Sequence, residues 1–330
     1  GLSTNDAIGK LVVEITKKLE FSKPVICVLL DLAKAFDTVS HGQMLEALED
    51  AGVRGMTREL FENYLKNRLQ VVKINDAYSK EQNINYGLPQ GTVLGPVLFT
   101  LYINSILESH TTGQILSFAD DTAILYSDST WDELKLKVES DLTTVFDAFC
   151  HNLLTINYEK TVFMPFSNTA RFLPDYKTLS INTYSKNIIL TAASSYKYLG
   201  VTVDSHLRWK DHTTNLTKTL RQLLYRFKYL KNILDLPHLK IIYYSLVESR
   251  LRYAILSWGG AAYCHMRSLD ILEKKILKII FNRPLLYPST ALFFESGILD
   301  LRQIFLHHVI LQFHKNKCII KKINLENHTK

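Results

Sequence analysis

Asp120 and Asp121 stand side by side in Phe118-Ala119-Asp120-Asp121, between Gln114-Ile115-Leu116-Ser117 and Thr122-Ala123-Ile124-Leu125-Tyr126. Both flanking runs read as strands, so the segment is predicted to be a β-hairpin with carboxylates at its tip. Adjacent like charges on a turn gain nothing for folding unless a cation or a partner consumes them, which makes the turn a metal-site candidate. A further acid, Asp31, closes the apolar run Val25-Ile26-Cys27-Val28-Leu29-Leu30, the pattern of a central strand covered on both faces. No local structure can join Asp31 to Asp120 over so long an intervening chain. If hairpin and strand share one sheet, the two acids can converge and hold two divalent ions about 3.5 to 4 Å apart. The matching chemistry is phosphoryl transfer, in which one ion activates an attacking hydroxyl and both stabilise crowded negative charge. An all-oxygen site of this kind suits Mg²⁺.

The elements that would position these acids follow from periodicity. Helices are expected over residues 5–18, 41–51 and 58–65, the last two separated by Gly52-Val53-Arg54-Gly55. Val71-Val72-Lys73-Ile74 and a segment ending near Tyr86 read as a peripheral hairpin. The loop Gly87-Leu88-Pro89-Gln90-Gly91-Thr92-Val93-Leu94-Gly95-Pro96 is dense in residues that set backbone geometry, and it feeds a helix through Leu98, Leu101, Tyr102 and Ile103. Leu134, Val138, Leu142, Val145, Phe146 and Phe149 recur at helical spacing and read as core packing over the sheet. Asn157-Tyr158-Glu159-Lys160-Thr161 is a loop leading into a strand, residues 171–193 read as strands joined by surface loops, and residues 196–204 as a compact hairpin. Beyond it the period turns helical. Leu216, Leu220, Leu223, Leu224, Phe227 and Leu230 are expected inside, as are Leu269, Leu272, Ile276 and Ile279.

At 330 residues and 47% hydrophobic the chain supports more than one core. Its net charge of +7 is unevenly spread: from Lys197 to Arg283 sixteen Lys or Arg stand against six Asp or Glu. That asymmetry favours a polyanion along one side of the molecule. Cys27, Cys150, Cys264 and Cys318 form no CxxC pair, so neither a zinc site nor a disulfide framework is indicated. No apolar stretch reaches membrane-spanning length and no secretory leader is visible; a reducing intracellular compartment and no membrane partner are expected.

The ordered blocks Leu29-Leu30-Asp31-Leu32-Ala33-Lys34-Ala35-Phe36-Asp37, Gly87-Leu88-Pro89-Gln90-Gly91, Phe118-Ala119-Asp120-Asp121 and Tyr198-Leu199-Gly200-Val201 resemble the reverse transcriptases of non-LTR retrotransposons, jockey-like or related LINE-type elements. Asn157 to Thr161 fits between the third and last blocks, and Trp209 and His212 also match. The resemblance implies an α+β fold: a right-hand polymerase palm, its antiparallel sheet packed by helices, with partial fingers and a helical thumb-like carboxy-terminal region. Expected limits are 1–195 for partial fingers and palm, 196–212 for the primer-grip hairpin and junction, and 213–330 for the basic helical thumb and carboxy-terminal region. Gly1-Leu2-Ser3-Thr4-Asn5-Asp6-Ala7-Ile8 looks like the tail of the final finger motif, so amino-terminal truncation is expected.

By the same resemblance Asp31 and Asp120 are the principal ligands of two Mg²⁺ ions, for which Mn²⁺ can substitute, and Asp121 is the third carboxylate. Phe36, five residues after Asp31, would lie against the sugar of an incoming deoxynucleotide and exclude a 2′-hydroxyl by sterics. Gln90 and Gly91 would border the nascent base pair, and Lys160 would serve the phosphate side or the leaving pyrophosphate. Asp37 reads as structural, a cap for the helix that follows it. Tyr198, Leu199 and Gly200 would form the primer grip. Lys218, Arg221, Arg226, Lys228, Lys231, Lys274, Lys275 and Lys278 would track nucleic-acid backbones.

The implied partners are an RNA template, a DNA primer and deoxynucleoside triphosphates, with an endonuclease supplied by a missing domain or another protein. Target-primed synthesis would be nuclear, with the ribonucleoprotein also in the cytoplasm. Three other readings stand beside this one: a viral RNA-dependent RNA polymerase, against which Phe36 argues; an intron maturase; and an inactive or domesticated fragment that at most binds nucleic acid.

Overall fold

The amphipathic stretch near the amino end coils into α1 (Thr4–Glu20), burying Ile8, Leu11 and Ile15. After it comes β1 (Val25–Leu30), all of whose residues are buried, as its uninterrupted apolar run requires. The computed structural model describes residues 3–118, 121–167, 173–184 and 186–327, side chains excepted at 109 and from 316 on. These form two compact units, one of Val13–Ser194 and the other of Ser195 onward together with residues up to Val12.

In the first unit α2 (His41–Asp50) and α3 (Met56–Leu65) follow β1. The peripheral hairpin is nested: β2 (Leu69–Gln70) pairs with β5 (Gln82–Asn83), and β3 (Lys73–Ile74) pairs with β4 (Ala77–Tyr78) inside it. Its last strand ends at Asn83, short of the expected Tyr86, which makes an isolated bridge with Ser40 instead. Then come α4 (Leu94–His110), β6 (Gln114–Phe118), β7 (Asp121–Ser127), α5 (Trp131–His151) and β8 (Val162–Phe166). The sheet runs β6-β7-β1-β8, antiparallel at every step, so β1 is central. Ile26, Val28 and Leu30 face one way, into a core shared with Phe99 and Tyr102 of α4 and Leu142 and Phe146 of α5. Val25, Cys27 and Leu29 alternate to the other face and are equally buried, which pushes the Cys27 thiol far up. The hairpin of β9 (Thr178–Asn182) and β10 (Asn187–Thr191) alternates exposed and buried residues and adds Leu179, Ile181, Ile188 and Leu190 to the same core.

One acid breaks the apolar face of α5. Asp141 is buried, and it accepts hydrogen bonds from Tyr126 Oη (2.7 Å), the Thr112 N–H (2.7 Å) and the Thr112 and Thr111 hydroxyls. It thereby ties α5 to the connection between α4 and β6 and to β7, fixing the β6–β7 hairpin at its base.

In the second unit β11 (Ser195–Tyr198) and β12 (Val201–Asp204) pair as a hairpin and lead into α6 (Lys210–Leu230). α7 (Leu236–Tyr243) continues through a π-helical turn, Tyr244–Glu248, into α8 (Ser249–Arg252); α9 (Ile255–Trp258), α10 (Tyr263–Ile280), α11 (Ser289–Ser296) and α12 (Leu301–Asn327) complete it. α6 and α10 pack against each other, and Leu220, Leu223 and Phe227 of the one and Leu269, Leu272 and Ile276 of the other are buried. Leu216, Leu224, Leu230 and Ile279, expected inside, lie at the edges of these apolar stripes and are half-buried. Among the described residues no helix is long and apolar enough to cross a membrane. The whole is α+β, an antiparallel sheet packed by helices and joined to a helical carboxy-terminal region.

Candidate active site

β1 delivers Asp31 at its carboxyl end, and residues 155–161 hold it there. The Asp31 N–H donates to Thr161 Oγ1 (3.2 Å), its carbonyl accepts from the Asn157 N–H (2.8 Å), and the Ala33 N–H donates to the Thr155 carbonyl (2.8 Å). Thr161 is 1% exposed, so this hydroxyl is a fixed, dry acceptor that leaves the Asp31 side chain outside the bond. Asn157 shapes the turn, its carbonyl accepting from the N–H groups of Lys160 and Thr161. The β8 pairing that follows brings Lys160 beside Asp31, Nζ to Oδ2 3.9 Å, with side chains 70% and 30% exposed. A pair that open to solvent is worth little and is free to exchange partners. Thr161 is the positioning residue that sequence reasoning passed over; it ends the stretch Asn157 to Thr161, but nothing local shows that its hydroxyl meets a backbone far away in the chain.

β6 and β7 form the predicted hairpin, with Phe118 opposite Asp121; Ala119 and Asp120 lie outside the described residues. The β1–β7 register ends at Leu30↔Thr122, so Asp31, the residue after β1, and Asp121, the first residue of β7, lie at the same end of the sheet. Two half-buried carboxylates therefore stand at one end of one sheet, hard oxygen donors that fit a hard divalent cation. Among the described residues no three His, Cys, Asp or Glu gather closely enough to hold an ion by themselves.

Phe36 is half-buried, its ring stacked on Phe99 with centroids 4.4 Å apart and planes at 25°. The residues around it are bound to the glycine-rich loop: the Leu88 N–H donates to the Phe36 carbonyl (2.7 Å) and the Gly87 N–H to the Val39 carbonyl (2.8 Å). Gly87 has φ +87°, and a Cβ there would lie 3.0 Å from the Asp37 carbonyl oxygen, so both conformation and approach demand glycine. Gly91 also has positive φ (+76°), with open space where a Cβ would stand. Asp37 does not cap α2; Ser40 is the N-cap, without a side-chain cap bond. Instead Asp37 Oδ1 accepts from Gln90 Nε2 (2.7 Å). Thr38, Val39 and Ser40 separate Asp37 from the first residue of α2, which puts it before the N-cap position.

In the other unit β11 and β12 are joined by Leu199 and Gly200, both at positive φ (+45° and +85°), the backbone of a type I′ hairpin turn. The Tyr253 hydroxyl donates to the Leu199 carbonyl (2.6 Å) and pins the turn. Tyr198 is buried, leaving Leu199 half-buried and Gly200 exposed. Trp209 and His212 are packing residues. Asp204 accepts the Trp209 N–H (2.6 Å), and His212, tilted against Trp258, accepts the Thr202 N–H at Nδ1 (3.4 Å). Burial pushes the His212 pKa down to about 4, so the ring is neutral. Lys218, Arg221, Arg226, Lys228, Lys231 and Lys275 are exposed. Lys274 and Lys278 are not the free cations expected: Lys274 pairs with Asp270 (2.6 Å) and Lys278 donates to the Leu285 carbonyl (2.6 Å), both half-buried.

Residues 4–203 match the family described as reverse transcriptase (RNA-dependent DNA polymerase), a span that includes Asp31, Gln90, Asp121, Lys160 and the β11–β12 turn. The chain belongs to the reverse transcriptase family. This reverse transcriptase chain is 26% identical over 306 residues to the probable RNA-directed DNA polymerase from transposon BS of Drosophila melanogaster, covering 88% of this chain and 33% of that protein. It is 28% identical over 299 residues to the RNA-directed DNA polymerase from mobile element jockey of Drosophila melanogaster, covering 85% and 31%. The chain thus spans about a third of the length of the curated relatives it matches. A solved structure of telomerase from Candida albicans, with a fragment of telomeric RNA, aligns with a TM-score of 0.48 at 12% identity, covering 89% of this chain and 52% of that one.

Proposed function

We propose that this chain is the polymerising core of a non-LTR retrotransposon RNA-directed DNA polymerase, which adds deoxynucleotides to a primer 3′ end along an RNA template. The observation that supports the reading is the β1–β7 pairing, which ends with Asp31 and the β7 carboxylate Asp121 at the same end of one sheet in a chain of this family. In it Asp31 and Asp120 are the principal ligands of two Mg²⁺ ions and Asp121 the third carboxylate. Bound there, the ions supply activation of the primer hydroxyl and neutralisation of the triphosphate.

The chain's own residues do the rest. Thr161 and Asn157 hold the Asp31 backbone, and Lys160, loosely paired with Asp31, is free to turn to a phosphate oxygen or to protonate leaving pyrophosphate. Phe36, backed by Phe99, presents a ring that cannot recede from the sugar. Gln90 and Gly91 border the base pair. The pinned turn of β11 and β12 holds the primer end, where small placement errors cost rate heavily. In target-primed insertion the nick would come from another domain or protein, and synthesis would take place in the nucleus.

Extension of a DNA primer on an RNA template, with deoxynucleotides and ribonucleotides supplied separately, tests the reading. Mg²⁺-dependent extension by deoxynucleotides alone is expected, and Phe36→Ala should relax that choice by about tenfold or more. Equal use of both nucleotide types by the unaltered chain would favour an RNA polymerase instead.

A further inference from the structure

We propose that Asp37 is a positioning residue that locks the side-chain amide of Gln90 with its carbonyl oxygen outward, so that Gln90 meets its ligand as a hydrogen-bond acceptor. The inference rests on the polymerase reading for what that ligand is, a nucleotide or base pair, but the lock itself is a property of the fold. An ionised carboxylate only accepts hydrogen bonds, so the Gln90 atom 2.7 Å from Asp37 Oδ1 must be the amide nitrogen. The opposite orientation would set two acceptors against each other. Among the described residues Oε1 is uncommitted, and Nε2 has already spent one of its two hydrogens.

The lock has rigid walls on both sides. The Asp37 N–H donates to the Lys34 carbonyl (2.8 Å), and Gly87, where any Cβ would lie 3.0 Å from the Asp37 oxygen, lies directly against the Asp37 backbone. Gln90 sits between Pro89, whose ring fixes its φ, and Gly91 at φ +76°. The Pro89 carbonyl accepts from Thr92 Oγ1 (2.9 Å), and Gly95 approaches it so closely that a Cβ would lie 2.9 Å away. A glutamine side chain has three rotors and would otherwise sample many orientations on an exposed loop. Through the Leu88 N–H bond to the Phe36 carbonyl, the ring assigned to the sugar and the amide assigned to the base pair belong to one clamp. Asp37 thus acts through Gln90 and need not touch the ligand.

Two measurements decide this separately from the polymerase reading. In the chain labelled with ¹⁵N at glutamine side chains, the Gln90 amide is identified by its loss in Gln90→Ala. Asp37→Ala should shift it toward the resonance of a free glutamine amide and speed its proton exchange, with the thermal midpoint unchanged. An amide signal indifferent to Asp37→Ala overturns the proposal, whether or not the chain polymerises. In primer extension, Asp37→Ala and Gln90→Ala should each raise the nucleotide KM about tenfold with a smaller change in kcat, the size expected for one charge-assisted bond. The double variant should be no worse than Gln90→Ala. Asp37→Asn, which can donate as well as accept and so tolerates either amide orientation, should fall between Asp37→Ala and the unaltered chain. Multiplying effects in the double variant would show that Asp37 acts independently of Gln90 and would refute the lock. Absence of extension by the unaltered chain, with the amide shift intact, would refute the polymerase reading and leave the lock standing.

Discussion

A single buried hydroxyl decides how firmly Asp31 is held. Thr161 Oγ1 is the protein acceptor for the Asp31 N–H, and the site is too dry for water to take its place without cost. Thr161→Val keeps the shape and removes the acceptor; it is expected to lower stability by about 1 to 2 kcal/mol and to weaken Mn²⁺ binding. Thr161→Ser keeps the hydroxyl and should restore both, as read by chemical denaturation and by a Mn²⁺ titration. A valine variant as stable and as ion-competent as the serine one would show that the contact is incidental. Lys160 was legible as a charge facing the site because the loop-to-strand pattern forecasts its position. Thr161 and Asp37 were not, because each owes its role to a partner distant in sequence, and side-chain type alone does not name that partner.

At the scale of elements, the least expected feature is a carboxyl sealed inside the helical unit. Glu273 on α10 is fully buried; it accepts from the Tyr243 hydroxyl of α7 (3.0 Å) and from the N–H of Leu301, the first residue of α12 (3.1 Å). Burial raises its pKa to about 8, the Tyr243 and Leu301 hydrogen bonds pull the other way, and the charges of Asp300 and Asp270 add to the rise. The folded state therefore keeps a proton that the unfolded chain releases near pH 4.5. Stability contributed by this group is full below about pH 4.5 and is lost as pH climbs toward about 8, with a total on the order of a few kcal/mol. Glu273→Gln should flatten that decline, matching the unaltered chain near pH 5 and exceeding it near pH 8 in denaturation curves. Equal pH dependence in the two proteins would mean that Glu273 is ionised when folded.

Most elements here were readable from the sequence, because β1 is an unbroken apolar run, α5 and α6 carry helical stripes, and the β11–β12 turn contains a glycine. The buried acids Asp141 and Glu273 were not. Each occupies a core-facing position on the apolar face of an amphipathic helix, and only the packed neighbours reveal whether such a position holds a networked acid or a solvated one. The edge residues Leu216, Leu224 and Ile279 differ for a related reason: periodicity assigns a face, but the width of the buried stripe depends on the partner helix.

Across the whole molecule, charge marks where a polyanion would bind, but not which cations are available to it. Lys218, Arg221, Arg226 and Lys228 are exposed on α6, as are Tyr225 and Tyr229, whereas Lys274 and Lys278 are already engaged by Asp270 and Leu285. In salt titrations of binding to an RNA–DNA hybrid, Lys218→Ala and Arg221→Ala should each reduce the slope of log K against log salt by roughly 0.7 to 0.9, the share of one phosphate contact. Lys274→Ala and Lys278→Ala should leave the slope unchanged and act on stability instead. A slope lost equally at all four positions would require the two engaged lysines to exchange partners on binding. The unequal availability arises from chain folding after α10, where residues 281–287 turn back over the helix end.

If the proposed reading holds, Asp31, Asp120 and Asp121 work as one metal-binding set at the end of a primer. The most direct test of that reading compares Mg²⁺-dependent extension of a DNA primer on an RNA template by the unaltered chain, Asp31→Asn and Asp120→Asn. Extension by the unaltered chain is expected, with a loss of roughly a thousandfold or more in each variant, the several kcal/mol that metal positioning supplies. Extension by either variant at the unaltered rate would contradict the reading.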